Sequence, residues 1–451
     1  MHHPLPDSAP LGQGHRYLVS PAHAWFALAM TMALMIFDYV DRQVIVSLFP
    51  HLKAEWGLSD KELGALVSTV SVTVALFGIP IALFADRVSR VKSIVAMATV
   101  WSLATISCMF TRNYAQLFAA RSLVGLGEAG YGSVGAGLIA SHFPARMRGA
   151  LMAAFFASAS FGSVMGVMLG GIIAAKWGWQ AAFGVVGVPG LAFALLYLAV
   201  RDYRTVKMEP QRQAARRSTR AAAGYIARAL SRSSTMRWVC LGAAANCITL
   251  SAVWAWVPSF LNRVYGMTPQ DAGIKAALVV LCGAAGALVW GTVVDHAGRK
   301  RPGAKLLTLA LLCVVTALVF GVAFGAPRLG IELSHQSQFA LILLGGFLMT
   351  CHSGPAAAIV IDVIHPGVRS TGASVLSLFQ NLFGLALGPI VAGALSDVMG
   401  IEMALAITAL FSVVAAGAML MASRTYASDM GRAHLAPDEA AGRAAPSPMA
   451  A

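Results

Sequence analysis

Charge is scarce in this sequence. Only 12% of the 451 residues are charged, whereas 58% are hydrophobic and the mean hydropathy is +0.71. A soluble globular chain carries about 25% charged residues, so this one has too little polar surface to cover a water-soluble fold. Soluble enzymes, nucleic-acid binders and disordered scaffolds are excluded on that ground, and the surplus apolar residues must face lipid. Cysteine is sparse as well: Cys108, Cys240, Cys247, Cys282, Cys313 and Cys351 stand singly in apolar runs. With no CxxC pair and no Cys/His cluster along the chain, neither a zinc site nor a disulfide framework is expected, and all six read as packing residues. A GxxxxGK[ST] phosphate loop is missing too, so ATP is not the expected energy source. Nor are there the spaced His/Asp ligands near an interface that a membrane-embedded enzyme needs.

What the chain has instead is long apolar runs. Crossing the hydrocarbon takes about 20 mostly apolar residues. Twelve runs qualify: 24–47, 62–85, 93–111, 114–140, 149–175, 180–200, 237–261, 272–294, 304–326, 337–362, 370–396 and 401–422. The first is too long, and too well followed by others, for a cleaved signal peptide. Residues 1–23 read as a cytoplasmic N-terminal tail, 24–200 as a first six-helix bundle and 201–236 as a basic cytoplasmic linker. Residues 237–422 read as a second bundle and 423–451 as a disordered cytoplasmic tail. The Arg-rich part of the linker, 216–232, reads either as an amphipathic helix on the anionic inner leaflet or as a solvated connection.

The basic residues set the orientation. With both termini inside, Lys53, Lys61, Arg112, Lys176, Arg263, Lys275 and Arg328 form the outside set. Arg42 and Arg121 fall within spans, and all the others of the 33 lie inside. The net charge of +14 is therefore a topology signal rather than a footprint for nucleic acid. The expected location is the plasma (inner) membrane.

The two halves repeat each other. Ala82-Leu-Phe-Ala-Asp86-Arg87-Val-Ser89-Arg90 follows the second span, and Gly291-Thr-Val-Val-Asp295-His-Ala-Gly298-Arg299-Lys300 ends the eighth. Each puts an acid, a turn and a basic cluster at a cytoplasmic helix end, so Asp86, Arg90, Asp295 and Arg299 are candidate cytoplasmic gate residues. Pro144-Ala-Arg146-Met-Arg148-Gly149 before the fifth span is matched by Pro366-Gly-Val-Arg369-Ser-Thr-Gly372 before the eleventh. Glycines then recur four apart: Gly162, Gly166 and Gly170 in span five, Gly384 and Gly388 with Pro389 in span eleven. Such a face lets neighbouring helices approach closely.

In order, spacing and topology these paired motifs resemble the major facilitator superfamily over nearly the whole chain. The segment after span two is similar to its signature between helices two and three, with Ala82 and Ser89 where the signature has glycine. Span five resembles its Gly-rich "antiporter" motif, but Val167 replaces the proline, so antiport is not implied. Within the superfamily, residues 38–171 resemble the Spinster family through three stretches: Asp38-Tyr39-Val40-Asp41-Arg42, Trp101-Ser-Leu-Ala-Thr105 and Arg121-Ser-Leu-Val-Gly125-Leu-Gly127-Glu128-Ala129. The resemblance implies an all-α membrane protein of twelve transmembrane helices in two pseudo-symmetric six-helix bundles. It also implies transport rather than catalysis, with lysophospholipids or sphingoid lipids as the family's cargo. Organic-anion symporters share a similar acid–Arg start to helix one.

An ionisable side chain at mid-bilayer costs at least ~2.5–3.5 kcal/mol on insertion scales. Asp38, Asp41, Arg42, Arg121 and Glu128 all carry that cost, and all lie in the first half. Asp38 and Arg42 are four apart on one helical face. Arg121 and Glu128 share a face of span four but stand about 10 Å apart along it, so each is expected to meet charges on span one. Asp41, Glu128 and Asp38 are the candidate proton-coupling groups. Arg42 and Arg121 are candidate counter-charges or substrate ligands, joined by His352 from the stretch Thr350-Cys-His-Ser-Gly354-Pro355, which reads as a break in span ten. The resemblance adds that Arg121 stands where the superfamily has a helix-four arginine linked to proton transfer. It also matches Asp41, Arg42 and Glu128 to the Spinster polar core.

The resulting expectation is a secondary transporter working by alternating access, with its site between the halves. It needs no cofactor beyond a proton gradient, and no metal. Its partners are the lipid bilayer and a small organic anion or lysolipid, and it acts as a monomer. A facilitator, or a transporter-shaped sensor that moves nothing, is the alternative.

Overall fold

The computed structural model describes residues 20–201, 233–331, 333–364 and 369–432, and among these every regular element is helical. The first half comprises α1 (Pro21–Trp56), α2 (Asp60–Val88), α3 (Arg90–Cys108), α4 (Tyr114–His142), α5 (Ala145–Trp177) and α6 (Trp179–Ala199). The second comprises α7 (Ser234–Val264), α8 (Pro269–Lys300), α9 (Ala304–Gly325), α10 (His335–Met349 with Pro355–Asp362), α11 (Gly372–Met399) and α12 (Ile401–Arg432). Eleven of these are each long and apolar enough to cross a membrane. The tenth crossing expected from the sequence is present but broken at residues 350–354, and its longer piece has only 15 residues.

Local sequence explains where the helices stop and start. Ser59 and Glu62 cap the start of α2 reciprocally, a capping box that satisfies two otherwise orphaned backbone donors. Thr268 caps α8 just before Pro269. Gly178 and Gly400, at φ 84° and 87°, separate the fifth helix from the sixth in each half, a conformation that side chains disfavour. The repeat seen in the sequence is thus repeated in the turns. The fourth helix of each half is also interrupted: α4 at Ala129–Gly130, where Gly130 has φ 88°, and α10 at residues 350–354.

The apolar surplus divides between two destinations. Leu288, Leu311 and Leu318 are more than three-fifths exposed, which suits a lipid-facing surface. Inside each half, small residues replace large ones. Gly162, Gly166 and Gly170 of α5 rest on the carbonyls of Ile36, Val40 and Val44 of α1, matching a four-residue step with a four-residue step. Gly384 and Gly388 of α11 sit in the same way on Ala244 and Ile248 of α7. Close approaches also join the halves. Gly64 meets the Pro389 carbonyl, Gly171 that of Pro269, and Gly273 that of Val167. Pro389 further accepts a hydrogen bond of 3.0 Å from the Trp256 indole.

One boundary differs from expectation. The tail expected to be disordered from residue 423 continues α12 to Arg432, because it has partners. The Tyr426 hydroxyl donates to Asp362 at 2.6 Å, and Asp429 accepts from the Ser233 hydroxyl and the Thr235 amide, binding the end of α12 to the start of α7. The amphipathic stretch considered at 216–232 lies outside the described residues, as do 1–19 and 433–451.

The glycine seam yields a prediction. A leucine at Gly166 has to displace the α1 backbone, and overpacking of this kind costs roughly 1–3 kcal/mol or more. Gly166→Leu is expected to lower the thermal midpoint in detergent markedly. Gly417→Leu, on an exposed face with nothing within 4 Å, should leave the midpoint unchanged. Equal midpoints for the two variants would contradict the packing described.

Candidate functional site

The five intramembrane charges come together between α1 and α4. One turn of α1 separates Asp38 from Arg42, and the Arg42 Nε donates to Asp38 Oδ1 at 3.2 Å. The same nitrogen lies 3.0 Å from Glu128 Oε2, at the last residue before the α4 break. Two turns earlier on α4, Arg121 Nη1 reaches both carboxylate oxygens of Asp41 and its backbone carbonyl, each at 3.3 Å. Arg121 and Glu128 therefore do not pair with each other; each meets α1, at the two ends of one strip of charge. Gly125 and Gly127 sit against the backbones of α2 and α3, so this stretch of α4 is wedged among its neighbours.

Burial distinguishes the members. Arg121, Asp41, Asp38 and Glu128 are all buried, whereas the Arg42 side chain keeps 20% of its surface and lies over the Tyr39 ring, 5.2 Å from its centre. Arg42 is the most exposed member of the set. The Glu128 carboxylate approaches Arg42 within ion-pair distance, yet neither of its oxygens accepts an aligned hydrogen bond among the described residues. Three carboxyl groups thus face two guanidinium groups in a largely buried space that opens only at Arg42.

The other sequence candidates are placed differently. His352 lies in the second half, buried within the α10 break beside Cys313 and Cys351 and without a hydrogen bond to the α1–α4 cluster among the described residues. Arg90 donates to the Gly137 carbonyl at 2.9 Å and the Ser141 hydroxyl at 3.1 Å, pinning the start of α3 to the end of α4. Asp295 and Arg299 are exposed and make no ion pair among the described residues; the Asp86 side chain lies outside them. The scattered cysteines need one correction: folding brings Cys313 and Cys351 to the same imidazole, which their separation along the chain concealed.

Comparison with known proteins speaks to the family and the fold. The profile of the Major Facilitator Superfamily matches residues 31–384, and again 239–447. The chain belongs to the Major Facilitator Superfamily. A probable L-galactonate transporter of Escherichia coli (strain K12) is 26% identical over 405 residues, covering 87% of each chain. Protein spinster homolog 3 of Homo sapiens is 25% identical over 84% of this chain and 76% of its own length, so the Spinster likeness extends well beyond the first half. A bacterial homologue of the human lysosomal transporter Spinster, crystallised inward-facing and unoccupied, superposes with a TM-score of 0.80 at 22% identity, over 93% of this chain and all of that one. The relatives are transporters and not enzymes, and a small molecule is the kind of substrate the superfamily implies.

In a superfamily transporter the two halves close against each other at one end at a time. Here the end opposite the described chain ends is tied by charge. Asp60, the first residue of α2 and 1% exposed, receives a bidentate pair from Arg263 of α7 at 2.5 and 2.7 Å. Lys53 and the Ser396 hydroxyl complete its shell at 2.6 Å each. Its neighbour on α11, Asp397, accepts from the Asp60 and Lys61 amides at 2.8 and 2.9 Å and so caps α2 from the other half of the molecule. Sequence reasoning passed over this set: Lys53 and Arg263 were counted only as outside charges, and Asp60 was not singled out. The one local signal was the capping box at Ser59.

Buried, bidentate pairs couple more strongly than exposed ones. A double-mutant cycle on Asp60→Asn and Arg263→Gln, read by unfolding in detergent, should give a coupling energy of about 0.5–3 kcal/mol. Additive losses would mean that the two halves are not held at this point.

Proposed function

We propose that this protein is a proton-coupled secondary transporter that moves a small organic anion across the plasma (inner) membrane by alternating access. The observation that carries the reading is the imbalance at the α1–α4 cluster. With three carboxyl groups and two guanidinium groups, the cluster becomes neutral when it holds one proton, and neutrality is what a low-dielectric interior favours. Glu128 is the natural seat, since it can take a proton without losing a hydrogen bond. Arg42 then shares its charge between Asp38 and an incoming anion, so that substrate and proton load together. Arg121 and Asp41, fully buried, serve as a fixed counter-charge pair at the other end of the strip.

A carboxylated cargo is supported from outside the chain by the L-galactonate transporter among its relatives, whose named substrate is a sugar acid. An amphiphilic anion such as a lysolipid is the second reading, supported by the Spinster likeness over most of the chain. Cytoplasmic termini follow from the distribution of Lys and Arg. The two bundles, 24–200 and 237–422, are the bodies that rock, with the basic segment 201–236 as their link. Asp86, Arg90, Asp295 and Arg299 close the cytoplasmic end when the Asp60 end opens.

The test is flux in proteoliposomes loaded with a pH-sensitive dye, using sugar acids, aromatic carboxylates and lysolipids. At least one compound should drive proton movement with the wild type. Glu128→Gln should abolish the proton movement while leaving substrate exchange within about threefold, and Arg42→Ala should reduce both at least tenfold. Unchanged proton flux in Glu128→Gln would remove the coupling role, and a wild type that moves neither substrate nor protons would leave a sensor as the better account.

A further inference from the structure

Three potential ligands lie outside the charge cluster and take no part in the proposed coupling. Cys313 stands midway along α9, and Cys351 and His352 are consecutive residues within the α10 break. All three are buried, and their ligand atoms lie within 4.8 Å of one another. His352 Nδ1 is 3.6 Å from the Cys313 sulfur and 3.4 Å from that of Cys351. A tetrahedral zinc ion, with Zn–S about 2.3 Å and Zn–N about 2.0–2.1 Å, sets sulfur and nitrogen about 3.5 Å apart. Both observed separations fall on that edge length. A fourth atom stands close by: the Asn246 amide donates to the Met349 carbonyl at 2.8 Å, which turns its oxygen towards Cys313, 3.8 Å from the sulfur.

From this geometry we propose that Cys313, Cys351 and His352, completed by the Asn246 side-chain oxygen, bind one zinc ion in the second half of the transporter.

Charge favours a divalent ion over other thiophilic cations. Two thiolates offset Zn²⁺ and leave a neutral complex, since imidazole and amide carry no charge, whereas Cu⁺ between the same two thiolates leaves a buried negative charge. Binding balances as two thiols and Zn²⁺ giving a bis-thiolate complex and two protons. Ser353 and Gly354, the next residues of the break, are exposed, so the site lies only a short distance beneath the surface of the described chain. The ligands come from α7, α9 and the break of α10, so the ion braces the interrupted fourth helix of the second half. The matching helix of the first half is interrupted beside Glu128. The thiol and imidazole contacts alone also satisfy hydrogen bonding, and the test separates that state from a metal site.

The test uses the full chain, purified in detergent without a metal-affinity tag and stripped with chelator. Co²⁺ is the spectroscopic probe. One equivalent is expected to give the visible bands of tetrahedral cobalt–thiolate, and Zn²⁺ should displace it. Zn²⁺ should release two protons per chain, raise the thermal midpoint and shield two of the six thiols from maleimide. Cys313→Ser and His352→Ala should bind at least about 100-fold more weakly and show no zinc-dependent midpoint. A wild type with no thiolate band overturns the proposal, and this holds even if a variant fails to fold. So does binding that survives both variants, because it then belongs to a site such as His2 and His3. Finding four rather than six thiols after unfolding without reductant would identify a disulfide and overturn it as well.

Discussion

Five charged groups buried between two helices make the constraint on which the rest of this molecule depends. Removing a carboxylate or guanidinium from water is so costly that none of them is stable there without the others. Arg42 and Arg121 must each find an acid on the neighbouring helix or on their own, and the pairs found, Arg42 with Asp38 and Glu128 and Arg121 with Asp41, set how α1 and α4 lie against each other. The surplus carboxyl leaves the set one proton away from neutrality. Under the proposed function, that single unit of charge is the proton the network exchanges when an anion arrives at Arg42.

The packing around the cluster is tight within each half, and between the halves it is closest at a few backbone approaches. Within each half, glycines of the fifth helix sit on the carbonyls of the first helix, so these pairs pack as one body. Between the halves, contact at the far end is made by backbone approaches at Gly64, Gly171 and Gly273 and by the Asp60 network. The seam within a half is smooth and apolar. The junction between halves concentrates its polar bonds on two carboxylates, Asp60 and Asp397, so that losing either releases several bonds together. A small number of strong, directional contacts is what a two-state closure requires, because it breaks cooperatively instead of sliding.

Much of this was legible along the chain. The crossings follow from hydropathy, and a close helix contact along α5 from glycines four apart, although its partner, α1, does not. The separate partners of Arg121 and Glu128 follow from the rise of a helix, which places the two residues too far apart to meet. The break of α10 was signalled by Gly354-Pro355, where a proline follows a residue with no helical preference. The helical end of α12 was not legible, since Tyr426 and Asp429 are polar residues in a polar stretch and become helical only by bonding to Asp362 and Ser233. Nor was the Asp60 junction: its arginine lies 203 residues away.

The sequence by itself determined the solvent, the number of crossings, the twofold repeat and the identity of the charged residues. Each of these is written in composition or in short-range periodicity, which a helix preserves. Only the tertiary structure decided which charge meets which, that Asp60 holds the two halves together, and that Cys313 shares an imidazole with Cys351. Such contacts join helices distant in sequence, from 39 residues for Cys313 and His352 to 203 for Asp60 and Arg263. Which helices become neighbours is set by the summed packing of all twelve segments, and no local pattern carries that sum.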